Sequence, residues 1–146
     1  MTAATALLGT WKMVSWVREV VATGETIDAL GPNPVGYLTY CRDGRMMTLE
    51  VGKERITPKA FVPTAEEKCA LFDTMLAYAG TYTVDSEKVI HHVDASWNQT
   101  WTDTDQVRFY QLDGDTLTIS SAPASDPYTG QEVVHRIVFR KLPSSN

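Results

Sequence analysis

Apolar and polar residues alternate with a period of two along most of this chain, the pattern of half-buried strands. The first such stretch runs from about Thr10 to Val21. Its odd positions are Trp11, Met13, Ser15 and Val17, and its even ones Lys12, Val14, Trp16 and Arg18. The two basic residues make the odd set the inner face. Gly36 to Val51 reads as a hairpin turning on Asp43-Gly44, a pair suited to the positive-φ positions of a two-residue turn. That register sets Tyr40 against Met47, Leu38 against Leu49 and Gly36 against Val51 on the core face. It turns Tyr37, Cys41 and Glu50 outward.

The second half continues the pattern. Thr81–Val84 and Val89–Trp97 flank the turn Asp85-Ser86-Glu87-Lys88, so that Tyr82 faces His91 and that face runs on through Val93, Ala95 and Trp97. Gln106 to Ser121 is a hairpin on Asp113-Gly114, with Arg108, Tyr110 and Leu112 on one face against Ile119, Leu117 and Asp115. The last strand, from about Glu132 to Leu142, alternates Val133, His135, Ile137 and Phe139 against Val134, Arg136, Val138 and Arg140. Loops are predicted at Leu30–Pro34, at Asn98–Asp105 around Trp101, and at Ala122–Gly130 with Pro123 and Pro127. Pro143 to Asn146 reads as a frayed tail. One segment breaks the period. Thr64-Ala65-Glu66-Glu67 is a capping box, and Ala70, Leu71, Met75 and Tyr78 then recur at helical spacing. The predicted helix runs from about Ala65 to Ala79, stopped by Gly80.

Seven or more strands joined mostly by tight turns predict an all-β fold in one domain, 1–146. An antiparallel up-and-down meander removes its own edges by closing into a barrel. A barrel of about eight strands is filled by side chains or holds one small ligand.

Charge narrows the partners. The net charge is −5 and no run of Lys or Arg exceeds two residues, so no footprint for nucleic acid or an anionic membrane is present. With no signal-like start and no apolar run near the roughly 20 residues of a span, the expectation is a cytoplasmic protein. Cys41 and Cys69 lie outside any CxxC motif and read as reduced thiols.

The register arguments bring Tyr40, His91, Arg108, Tyr110 and His135 to the inner face. An unpaired Arg108 in a dry interior would cost several kcal/mol. It therefore needs a carboxylate, a ligand anion or ordered water, or else it stands at the rim beside Asp115 or another acid. Met13, Tyr40, Met47, Trp97 and Trp101 are candidates to line an apolar cavity. Adjacent His91 and His92 point to opposite faces, and no spacing of the three histidines suits a metal. Glu50 and Asp94 fall on outer faces, which argues against a paired-carboxylate site. No GxSxG, phosphate loop or cofactor motif is present.

Gly9-x-Trp11 at the first strand resembles the lipocalin signature. Leu8–Lys12, Gly31–Leu38, Tyr78–Tyr82, His91–Trp97 and Asp105–Tyr110 together resemble the bacterial and fungal lipocalin-like domain proteins. The resemblance implies a closed lipocalin-like β-barrel with one helix. It makes Trp11 a plug at one end, with Arg136 or Arg140 packed over it. It also implies binding of a small hydrophobic molecule; with the register arguments, which add a polar or anionic end, the expected ligand-binding set is Met13, Tyr40, Met47, His91, Trp97, Arg108, Tyr110 and His135. Arg108-x-Tyr110 further resembles the carboxylate clamp of fatty-acid-binding barrels. The alternative is a cofactor-free cyclase or isomerase of secondary metabolism. There Arg108 and Tyr110 would stabilise oxyanion charge, and His91 or His135 would move a proton. A protein-interaction module and a homodimer stay open.

Overall fold

The computed structural model describes residues 3–126 and 129–144. Pro127 of the predicted loop, and Ser145 and Asn146 of the predicted tail, lie outside the described residues. In chain order the elements are α1 (Ala3–Leu7), β1 (Gly9–Val20), β2 (Thr26–Asp28), β3 (Val35–Tyr40), β4 (Arg45–Val51), α2 (Ala65–Phe72), β5 (Met75–Val84) and β6 (Lys88–Ser96). A 3-10 turn (Gln99–Trp101), β7 (Asp105–Asp113), β8 (Thr116–Ser121), β9 (Ala124–Ser125) and β10 (Glu132–Lys141) follow. Antiparallel pairing runs β1-β3-β4-β5-β6-β7-β8-β10 and closes through β1–β10, giving an eight-strand barrel. The short strands β2 and β9 add to the ends of β1 and β10. Among the described residues, no helix is long and apolar enough to cross a membrane.

Trp11 is buried at the start of β1 and its indole N–H donates to the Leu7 carbonyl at 2.9 Å. The basic group over its ring is Lys141, with Nζ 5.5 Å from the centroid. Neither Arg136 nor Arg140 takes that place. Even positions of β10 point outward and both arginines are exposed, whereas Lys141 shares the inward parity of Ile137 and Phe139.

The β3–β4 hairpin differs from its prediction by one residue. The loop is three residues, Arg42-Asp43-Gly44, and only Gly44 is left-handed, at φ +89°. Cys41 N–H donates to the Arg45 carbonyl at 2.8 Å, and Tyr40 pairs with Met46. A right-handed turn closed by a left-handed glycine uses three residues where two left-handed positions use two. The slip inverts every side chain of β4. Met46, Thr48 and Glu50 face the core, while Met47 is 58% exposed and Leu49 47% exposed.

Three further departures follow the same logic of parity. The β1–β10 register shifts between Met13 and Ser15, so Val14 bulges outward and Trp16 turns in. The β5–β6 pairing sets Tyr82 against His91, as predicted, then shifts between Ala79 and Gly80, which sends Ala95 to solvent. At that shift the strands approach so closely that a Cβ on Gly80 would collide with the His92 carbonyl. In the β7–β8 hairpin the turn is Gly114-Asp115, and Tyr110 pairs with Ile119. The displacement there is even, so Arg108, Tyr110 and Leu112 keep their predicted face.

The capping box at Thr64 and Glu67 is present, with both reciprocal bonds formed. The helix it starts ends at Phe72 with Asp73 as cap, short of the predicted Ala79. Met75 to Ala79 are strand, because Leu76 and Tyr78 pair with Glu50 and Thr48 and bury on the inner face. The barrel needs a strand between β4 and β6, and that ladder outweighs a weak helical period.

Candidate ligand site

Inside the barrel the wall residues leave a small cavity of about 40 Å³. That room suits a few waters or a small molecule. Leu38, Leu76, Ile119, Ile137 and Phe139 supply apolar wall, and Trp101 closes over it from the 3-10 turn. Thr48, Glu50, Tyr78, His91, Arg108, Ser121 and His135 supply the polar groups.

His91 is held between two phenols. Tyr40 Oη lies 2.7 Å from its Nε2 and Tyr78 Oη 2.6 Å from its Nδ1. Burial, helped by the charge of Arg108, drives its pKa well below the ordinary value, so the ring is neutral and donates on one side only. Burial also raises Tyr40 and pushes Tyr78 up to about 12. The triad is a chain of neutral hydrogen bonds, and the Arg108 guanidinium lies near its Tyr78 end.

Glu50 is 3% exposed. Its Oε1 lies 3.0 Å from Thr48 Oγ1, and its Oε2 has no hydrogen-bond partner among the described residues. Burial raises the carboxyl to about 7, against opposing pulls from the Thr48 hydroxyl and the Arg108 charge. Gly36 sits directly across the pair and leaves the space into which the Glu50 side chain folds.

Arg108 stands between the cavity and an outer pocket that shares Trp101, Ser121 and His135 with it. It therefore lines both the interior and the mouth. Its guanidinium donates to the Val107 carbonyl at 3.2 Å and to Gln106 Oε1 at 3.4 Å, and lies 5.9 Å above the Trp101 ring. Among the described residues no carboxylate, Asp115 included, comes within ion-pair distance of it. His135 accepts the Trp16 indole N–H on Nδ1 at 2.8 Å, and its Nε2 lies 3.8 Å from buried Asp126. Burial lowers its pKa to about 4, although Asp126 pulls the other way.

The family model for the lipocalin-like domain matches residues 8–142. The chain belongs to the lipocalin-like domain family. No curated protein matches it. The crystal structure of an uncharacterized protein from Bacteroides eggerthii is similar over 93% of this chain and 99% of that one, at 12% identity and a TM-score of 0.43. A lipocalin-like barrel with an internal cavity is an architecture for binding small molecules.

In this lipocalin-like protein the residues singled out from sequence separate into two groups. His91, Arg108 and His135 meet on the cavity wall, and Tyr40 stands behind His91. Met13 is buried against Phe139 but is not on that wall. Tyr110 shares the face of Arg108, yet its hydroxyl donates to the Asp85 carbonyl at 2.7 Å, so no two-residue clamp forms. Met47 and Trp97 line a groove on the outside of the barrel. Glu50, Thr48, Trp16 and Ser121 escaped the sequence reading. For Glu50 the available signal was Gly36, a small residue where a strand otherwise alternates apolar side chains. No signal marked the bulge that turns Trp16 inward. Among the described residues no cluster of His, Cys, Asp or Glu is placed to hold a metal ion.

Proposed function

We propose that this barrel binds a small, largely apolar molecule carrying an anionic or strongly hydrogen-bonding end, with that end on Arg108. The observation that carries the reading is a guanidinium on the cavity wall that donates to a carbonyl and an amide oxygen and, among the described residues, has no carboxylate within ion-pair distance. A partly desolvated cation without an anion is costly, and a ligand oxygen relieves that cost through two parallel N–H donors. The apolar wall takes the remainder of the molecule. The limited free space favours a ligand smaller than a long-chain lipid.

Native mass spectrometry of protein isolated from its own host tests the reading. The expected result is a retained small acidic molecule whose occupancy falls at least tenfold in Arg108→Met, which keeps the apolar stem. Equal retention by Arg108→Met, or no retained species together with no binding of small carboxylates or enolates, refutes it. The cyclase or isomerase reading uses the same cavity, and the free buried oxygen of Glu50 favours it.

A further inference from the structure

We propose that Glu50 is the proton-transfer residue of the cavity, acting on a small enolisable carbonyl compound whose oxygen is held by Arg108. The inference rests on the binding reading above and names the substrate class of that same site. It starts from an anomaly. A carboxyl this deeply buried, on a residue that lines the cavity and with one oxygen unpartnered among the described residues, is expensive to keep. The fold makes room for it, because the residue opposite is Gly36.

The other titratable groups around the cavity are committed. They are Tyr40 from β3, Tyr78 from β5, His91 from β6, Arg108 from β7 and His135 from β10. Both ring nitrogens of His91 are taken by phenols. The Nδ1 lone pair of His135 is taken by Trp16. Arg108 has no acceptor atom. Among the described residues that line the cavity, Glu50 keeps a carboxylate oxygen, Oε2, with no hydrogen-bond partner.

Thr48 equips Glu50 for both protonation states. Its single hydroxyl proton has two acceptors within reach, Glu50 Oε1 at 3.0 Å and the Tyr37 carbonyl at 3.1 Å. When Glu50 is ionised, the hydroxyl donates to the carboxylate. When Glu50 is protonated, its O–H can donate to Thr48 Oγ1 while Thr48 donates to Tyr37. Burial raises the carboxyl to about 7, so both states are populated near neutrality, as a base that returns its proton requires.

The step balances without a co-reactant. Glu50 carboxylate takes the proton from the carbon next to the carbonyl. The C–H pair becomes a C=C bond, and the carbonyl π pair moves to oxygen as an enolate, which the Arg108 guanidinium stabilises. For a β,γ-unsaturated ketone, protonated Glu50 returns the proton to the γ-carbon and leaves the conjugated isomer. No redox change and no leaving group are involved.

The test uses the full chain with cyclohex-3-en-1-one, its five-membered analogue and an open-chain analogue. Conjugated product is followed by ultraviolet absorbance, α-deuteration in D2O by proton NMR, and binding by saturation-transfer NMR. Wild type is expected to accelerate isomerisation over buffer, with a rate that rises with pH through about 7. Glu50→Gln is expected to lower the rate roughly 100-fold or more while still binding the probe. Thr48→Val removes a hydroxyl that favours the carboxylate, so its pH midpoint moves upward. Thermal melts verify that both variants fold. Probe bound without turnover, or turnover unchanged in Glu50→Gln, overturns the proposal and leaves the binding reading standing. Neither binding nor turnover of any probe overturns the proposal, and retention of an acidic molecule in the native mass spectrum then decides the binding reading separately.

Discussion

Gly36 lies directly across the β3–β4 pair from Glu50, and a Cβ at position 36 would stand 2.9 Å from Glu50 Cγ and 2.7 Å from the Leu49 carbonyl oxygen. The absent side chain is what lets a carboxylate lie flat against its neighbour strand and reach the cavity. Gly36→Ala must therefore move backbone as well as the Glu50 side chain. The expected cost is about 2 kcal/mol, in the range of overpacked cores. Urea denaturation measures it, and the Glu50 carboxyl resonance in NMR should shift. An alanine variant with unchanged stability and resonance would show that the pair relaxes freely.

Stability should depend on pH through two opposing groups. Glu50 has its carboxyl raised from 4.5 to about 7, so the native state holds a proton that the unfolded chain has released. Its contribution is fully present below pH 4.5 and is lost as pH rises through 7. His135 is lowered from 6.5 to about 4, so the unfolded chain takes a proton that the native state refuses. Its contribution is present above pH 6.5 and is lost as pH falls toward 4. Glu50→Gln removes the first limb alone. It should match wild type near pH 4.5 and exceed it at pH 8 by on the order of 1–3 kcal/mol. Urea midpoints between pH 4 and 9 measure this. Parallel profiles for the two proteins would mean that Glu50 stays ionised in the fold.

Trp11 belongs to the structure of the closed end rather than to the cavity wall. Trp11→Ala deletes a fully buried indole and strands the Leu7 carbonyl, at about 3–5 kcal/mol. Lys141→Met loses only a cation over an aromatic face and should cost about 1 kcal/mol or less. Probe affinity of the folded fraction, measured below the melting transition, should stay within a factor of a few for both. A large loss of binding with little loss of stability would relocate the ligand to this end.

Much of the fold was legible because strand pairing is a period-two problem. Closure into a barrel, the Thr64 capping box, the Tyr82–His91 pair and the inward parity of His135, Ile137 and Phe139 all follow from local pattern and turn chemistry. His91, Arg108 and His135 reached the cavity for the same reason. Arg108 was readable as an interior cation, although its position between cavity and mouth was not.

What tertiary structure decided was parity. Asp43-Gly44 serves a two-residue or a three-residue loop equally well in sequence, and the difference inverts β4, exchanging Met47 and Leu49 for Thr48 and Glu50. Bulges in β1 and β6 likewise depend on the partner strand, and they turn Trp16 inward and Ala95 outward. Met75–Ala79 is strand only because β4 and β6 require one between them. By itself the sequence determined most of the strands and their hairpin pairs, because alternation is local. The three-dimensional closure determined which atoms line the cavity, because one residue of slip costs little locally but changes every neighbour across the sheet.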